Sequence, residues 1–464
     1  MTDNLTRRFL LYGLTFEFFY ISLALLGFFK DITIGDTHTP SEQPIIFVLH
    51  ALWSTVSLMF FAILLWRLRP TRTDASSVTT FTRGNLTLWV ILGCSLLFAV
   101  TVTAAWPFGS VDIFNYIFRA RVFTVYGHNP YFTPPAVFPT DLADVFVGRF
   151  ARLLPMIYGP AWTALTFIPS ALFGNHIILL VWVFRLIAVA FSTGSAYLIY
   201  RILSVTKPAY RYWGTILYAW NPFVLFEFAQ NGHNDAAMIF FVLLALNYYV
   251  SGRYSWVLPA LTMSILMKYQ TVVLVPFLLL GLWRITRGQR FATIVAPACV
   301  SLALVVGFFA PFWQGWEIFS PVTAIQLLPR AGPSVLALAF EYYGGLDIGK
   351  ARAQSLLIFF ASAAMLGLWA LWSSAWERLS RTLFWIFMCL LIFGTFWLMP
   401  WYFVLAVALA AVVGDSAYVA GGVLVSVFAL LSYQLPYIIF GPILLPFVVV
   451  IVWLARSRNE LKFR

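Results

Sequence analysis

Apolar runs of about 20 residues recur from one end of this 464-residue chain to the other, and no other feature constrains its fold so tightly. A run of that length matches the hydrocarbon thickness of a bilayer. Inside lipid the backbone must satisfy its own hydrogen bonds, which leaves helices or a closed barrel. The runs are continuous rather than alternating, and this argues against a barrel. With 62% hydrophobic and only 10% charged residues, too little polar surface remains to cover a water-soluble globule. The expected fold class is an all-α polytopic membrane protein.

The formal net charge of +12 sits largely in short loops between runs, as the positive-inside rule requires, so no nucleic-acid partner is expected. Arg67, Arg69, Arg72 and Arg83 mark a cytoplasmic loop, and the tail "RSRNELKFR" marks a cytoplasmic C-terminus. "MTDNLTRRF" precedes an apolar run without a small-residue cleavage site, which reads as an uncleaved first span with a cytoplasmic N-terminus. Cys94, Cys299 and Cys389 lie inside apolar runs and read as small core residues; neither a disulfide framework nor metal-ligand spacing is expected. The chain divides as a single integral-membrane domain over 1–464. Two N-terminal spans and a cytoplasmic loop occupy 1–85. A central module at 86–285 carries an external loop at 107–158, and C-terminal spans at 286–464 carry a second external loop at 312–353. The run 160–173 is too short to span and reads as an interfacial or re-entrant helix, and the runs 255–268 and 270–285 as a tight hairpin with Lys268 at its outer tip.

The polar residues are concentrated where the spans end. "SVDIFNYIFRARVFTVYGHNPYFTPP" begins at Ser110. A helix over 110–122 puts Asp112, Asn115, Tyr116 and Arg119 on one face, with Ile113, Phe114, Ile117 and Phe118 opposite, turned toward lipid. The pattern leaves two readings of Asp112: a rim carboxylate acting as general base, or an acid favoured by the helix N-terminus. The stretch 127–135 is stiffened by Pro and offers His128, Asn129 and Tyr131, either as sugar contacts or as interface anchors. "AQNGHNDAAM" adds His233, Asn234 and Asp235 at a helix junction, with Asn231 and Glu227 beside them. Such groups are costly next to apolar helices unless they meet a cavity or each other.

Lys268 interrupts two short runs, as broken helices that line a site do, and an ammonium there would attract a phosphate group; snorkelling to the interface is the other reading. Arg185, inside a span, is expected to face an acid rather than lipid, and Arg149, Arg152 and Arg330 are further external cations. Trp401 and Tyr402, in "MPWYF", read as an aromatic belt at an outer helix end. Together these describe an external cavity beside lipid, suited to moving a group from a phosphorylated lipid to a hydroxyl.

Three stretches carry a family resemblance: "DIFNYIFRARVFTVYGHNPYFTPP", "YGPAWTAL" from Tyr158, and "WNPFVLFEFAQNGHNDAAM" from Trp220. With "LMKYQTVVLVPFLLL" they resemble, over about residues 100–285, the polyprenol-phosphomannose-dependent alpha-1,6-mannosyltransferases of the GT-C superfamily of integral-membrane glycosyltransferases. The apolar runs give about 12–14 transmembrane helices with external juxtamembrane helices, and the resemblance implies that they form a GT-C-like bundle. It implies transfer of mannose from a polyprenyl-phosphate donor to a glycan or glycolipid acceptor, at the external face of a bacterial plasma membrane and without cofactor or metal. Asp112 stands where the family has its catalytic base. On that reading Lys268, Arg119 and Arg152 hold the donor phosphate, and Tyr116, His128, Asn129, Tyr131, Tyr158, His233, Asn234, Asp235 and Tyr402 shape the sugar pocket. Arg119 and Arg121 follow Tyr116 where the family often carries an acid. The alternatives are a GT-C transferase for another sugar or a protein acceptor, and a lipid-linked sugar flippase or transporter.

Overall fold

A computed structural model describes residues 2–28, 44–70, 84–148, 151–324, 334–372 and 375–434. The apolar run at 437–455, which reads in the sequence as the last span, lies outside them, as do the basic tail, Arg149 and Arg330. The described residues are helical and contain no strand. The chain is an all-α polytopic membrane protein. Among the described residues, five helices are long and apolar enough to cross a bilayer, in Thr6–Leu25, Val48–Arg67, Ile177–Thr206, Phe291–Phe312 and Ile348–Leu371.

The chain starts with α1 (Thr2–Phe28), α2 (Pro44–Arg67) and α3 (Gly84–Val102). α1 lies along α3, tied by Thr6 to Thr87 and by Thr101 donating to Glu17. The helix expected at 110–122 forms as α4 (Asp112–Thr124). Its setting differs from the expectation. Ile113, Phe114, Ile117 and Phe118 face protein, not lipid, at 0–2% exposure. Phe114 stacks on Phe146 of the following loop, and the helix packs against α5 (Pro160–Phe173) and α6 (Ile177–Thr206). α4 is therefore a core element, and its polar face looks inward.

Proline, asparagine and glycine decide where the remaining runs break. The apolar run at 212–228, which reads in the sequence as one span, stops after α7 (Arg211–Ala219). Asn221 caps a new turn by accepting from the Phe223 N–H at 3.0 Å, and Pro222 occupies the first position of α8 (Pro222–Leu225). A π-helical turn, Phe226–Gln230, then runs to Gly232, whose φ of +70° turns the chain into α9 (Asp235–Val250). α10 (Val257–Met267) ends at Lys268, which is fully extended, and a 3₁₀ segment (Tyr269–Leu274) leads into α11 (Val275–Ile285). This is the expected broken hairpin with Lys268 at the break. Gly159, before α5, lies so close to the Leu266 carbonyl that a Cβ would collide with it, and its N–H donates to the Met267 carbonyl at 3.2 Å.

α12 (Ala296–Phe309) and α15 (Ile348–Leu371) turn most of their surface outward, as lipid-facing helices do. α13 (Ser320–Ala324) and α14 (Val335–Tyr342) lie between them. Cys299, expected in the core, is exposed on α12, whereas Cys94 is buried. α16 (Trp376–Cys389), α17 (Phe403–Val413) and α18 (Ser416–Leu431) close the structure, with α17 entirely buried. α18 packs on α2, so the last described helix meets the N-terminal hairpin.

Candidate active site

Asp112 is the first residue of α4, and its backbone N–H donates to Ser110 Oγ at 3.3 Å. Asn115, one turn on, donates to Asp112 Oδ1 at 3.3 Å, and the Tyr158 hydroxyl also bonds the carboxylate. Burial raises the Asp112 pKa above the ordinary carboxylate value; Lys268, Tyr158, Asn115 and Arg119 pull the other way without cancelling it. A carboxyl so placed is a stronger base than an exposed one.

The turn at 231–235 brings the second set of groups. Asn234 Oδ1 accepts from the Tyr116 hydroxyl at 3.2 Å, which in turn accepts from the Asn234 N–H at 3.3 Å. Asp235 starts α9, and its Oδ2 is 2.6 Å from Lys268 Nζ. The same ammonium lies 4.5 Å from the centre of the Tyr402 ring. His233 is stacked on Trp401, with ring centres 4.1 Å apart. Its Nδ1 lies 3.7 Å from Asp112 Oδ2, and its Nε2 lies 3.3 Å from Glu227 Oε2. Glu227 accepts from Tyr433 at 2.9 and 3.1 Å. Asn231 ties the turn to the strand of chain before α4 by accepting from the Phe108 N–H at 2.9 Å.

Of the expected site residues, the structure therefore gathers Asp112, Tyr116, Tyr158, His233, Asn234, Asp235, Lys268 and Tyr402. The rest have other partners. Arg119, 1% exposed, donates to the carbonyls of Asn115, Ala151, Leu154 and Pro155 and so pins the loop before Tyr158. Arg152 pairs with Asp144 at 3.1 Å. His128 is exposed, with its ring edge on Phe138. Asn129 donates to the Phe312 carbonyl at 2.8 Å. Tyr131 stands one layer behind the site, its hydroxyl donating to the Tyr158 carbonyl at 2.8 Å. Arg185 was expected to face an acid; it donates to the Thr103 carbonyl at 2.8 Å, at the end of α3.

Sequence reasoning placed Trp401 in an interface belt and overlooked Tyr433. Trp401 is 6% exposed and faces His233 rather than a membrane surface. Neither position has a local signal, because each reaches the site from far along the chain. Among the described residues no three His, Cys, Asp or Glu side chains form a metal-ligand group.

Residues 33–284 match the model of the alpha-(1->6)-mannopyranosyltransferase family, N-terminal domain. The chain belongs to this family. A curated relative, alpha-(1->6)-mannopyranosyltransferase A of Mycobacterium tuberculosis (strain ATCC 25618 / H37Rv), is 26% identical over 267 residues. The alignment covers 56% of this chain and 48% of the relative, so the chain spans about half the length of the curated protein it matches. The family match includes α2 to α11, and with them Asp112, Glu227, His233, Asp235 and Lys268. Trp401, Tyr402 and Tyr433 lie beyond it.

Proposed function

We propose that the chain is an inverting mannosyltransferase that moves a mannosyl group from a polyprenyl-phosphate donor to a hydroxyl of a glycan or glycolipid, with Asp112 as general base. One observation carries the reading. Three carboxylates meet at the site, and Asp112, at 18% side-chain exposure, is the one that reaches accessible space, whereas Asp235 and Glu227 are at 0%. Family membership supports the transferred sugar.

In the proposed step the acceptor oxygen attacks the anomeric carbon as its proton passes to Asp112. The bond from that carbon to the phosphate oxygen breaks, and the electron pair leaves with the polyprenyl monophosphate. Lys268, at the break between α10 and the 3₁₀ segment, stabilises that charge; one of its three N–H groups is engaged by Asp235. Arg119 and Arg152 act at a distance, since their donors are held by carbonyls and by Asp144. Positioning the lipid-held donor beside the acceptor supplies part of the rate. The site opens to the external face of a bacterial plasma membrane, the termini are cytoplasmic, and residues 86–285 form the catalytic module of one integral-membrane domain.

The test is transfer by purified protein from polyprenyl-phosphate mannose to mannan-type and glycolipid acceptors, followed by mass spectrometry. Asp112→Asn is expected to insert and melt as the parent does and to lose about 10²–10⁴-fold in turnover. Near-normal transfer by that variant overturns the assignment. Transfer only from a different lipid-linked sugar, or movement of the donor across vesicles without chemical change, overturns the substrate or the reaction.

A further inference from the structure

His233 lies between two carboxylates, and the Lys268 charge also acts on its ring. Asp112 faces Nδ1 at 3.7 Å and Glu227 faces Nε2 at 3.3 Å. The ring is 0% exposed, and the Trp401 indole covers one face at an interplanar angle of 19°. Both ring nitrogens are buried and neither has a hydrogen-bond partner, although each faces a carboxylate. Each contact becomes attractive only if a proton lies in it, which takes two exchangeable protons shared among Asp112, His233 and Glu227. One lies between Glu227 and Nε2. The other is then on Nδ1 and is aimed at Asp112.

Glu227 is equipped to fix that arrangement. It is 0% exposed and held by Tyr433 and, at 3.5 Å, by Asn231. The π-helical turn directs it beneath the ring, and π-turns of this kind concentrate at functional sites. We propose that Glu227 and His233 are a positioning pair for Asp112: Glu227 sets the tautomer, and the Nδ1–H of His233 orients the Asp112 carboxylate and favours its ionised form until the acceptor proton arrives. The other charged groups around Asp112 are Lys268, Asp235 and Arg119, with the Tyr158 phenol bonded to it. Lys268 and Asp235 offset each other, and Arg119 is spent on carbonyls. His233 is the group whose ring nitrogen faces the Asp112 carboxylate from the side of Glu227. This inference rests on Asp112 being the base.

The sign of the expected effect follows. A donated N–H lowers the pKa of a carboxylate, so its removal raises that pKa and moves the acid limb of the rate profile to higher pH. The experiment measures kcat, KM for the donor and the pH dependence of kcat/KM for purified full-length variants. His233→Leu is expected to lower kcat about tenfold or more, to leave donor KM within about twofold, and to move the acid limb up by about one pH unit. His233→Asn, whose amide nitrogen replaces Nδ1, keeps the limb of the parent. Glu227→Gln keeps it too, by donating to Nε2, whereas Glu227→Leu shifts it as His233→Leu does.

Tyr433→Phe, a milder change, shifts the limb in the same direction by less and covers the case in which the leucine variants fail to fold. If His233→Leu and Tyr433→Phe both keep the parent limb while Asp112→Asn is inactive, the pair has no such role and this inference alone falls. If the Leu and Asn variants at 233 shift the limb equally, the ring is only packing, and the inference falls as well. If Asp112→Asn retains transfer, the base assignment falls first.

Discussion

Lys268 and Asp235 are each buried in a place that neither could occupy alone. Their side chains are 8% and 0% exposed, and the 2.6 Å contact between them spares each the full cost of losing water. Lys268→Met is therefore expected to destabilise the protein by about 3–5 kcal/mol, because it strands the Asp235 carboxylate. Lys268→Met with Asp235→Asn removes both charges and is expected to recover most of that loss. Transfer activity should stay low in both, if Lys268 holds the leaving phosphate. Thermal unfolding in detergent measures the first effect and turnover the second; a double variant that regains activity with its stability removes Lys268 from the chemistry. The polar residues of this site were legible in the sequence because a charge or amide amid apolar helices has few places to go. What each one touches was not legible. Arg119 and Lys268 carry the same charge, yet four carbonyls surround one and a carboxylate and an aromatic ring flank the other.

The helices that build the site are short because their sequences interrupt them. The interruptions at Gly232 and Lys268 could be read, since each residue type disfavours continued helix or is costly in lipid, whereas the one at Asn221-Pro222 was missed because the apolar run continues through it. The burial of α4 could not. A helix with one polar and one apolar face looks the same on a membrane surface as it does between a loop and two helices, and only the neighbours distinguish them. Arg121 shows how that loop is fastened. It pairs with Asp141 at 2.9 Å, and the same carboxylate accepts from Tyr126 at 2.8 Å.

At the other end of the bundle Asp415, between α17 and α18, holds Lys207 from the end of α6 and Arg381 from α16. Burial by itself would raise the Asp415 pKa, but the bonds and charges of Lys207 and Arg381 outweigh it and hold the group below its ordinary 3.8. A carboxylate depressed in this way adds stability above its unfolded pKa and loses it as the pH falls through the folded one. Asp415→Asn should thus melt earlier than the parent at neutral pH, and the gap should narrow only below about pH 4. A constant gap across pH 3–7, followed by thermal unfolding in detergent, would show that the cluster acts by packing.

Across the whole molecule, the site joins residues of the matched family segment to residues beyond its C-terminal end. α2 reaches it through His50, whose ring stacks on Phe108 at 3.9 Å, just before α4. The C-terminal part reaches it twice, through Trp401 on His233 and Tyr433 on Glu227. Gly109 records how closely the two halves meet: with φ at +75°, it lies where a Cβ would strike the Tyr433 ring. Hydropathy shows that a C-terminal third of this kind is helical and in the membrane, but it carries no information about contacts between residues some 170–200 positions apart, such as Trp401 with His233 and Tyr433 with Glu227.

On the proposed reading, those contacts make the C-terminal helices part of the chemistry and not merely an anchor. Trp401 is the sharpest case, because what His233 requires from it is a flat apolar face. Trp401→Phe preserves such a face and is expected to keep turnover within a few-fold of the parent. Trp401→Ala leaves a cavity beside the ring, at a cost of about 3–5 kcal/mol in stability, and frees the imidazole to leave the line between Asp112 and Glu227. Turnover should then fall about tenfold or more at a temperature where the variant is still folded, with the acid limb moved upward as for His233→Leu. An alanine variant that loses stability but keeps the turnover and pH profile of the parent would confine the C-terminal half to a supporting role.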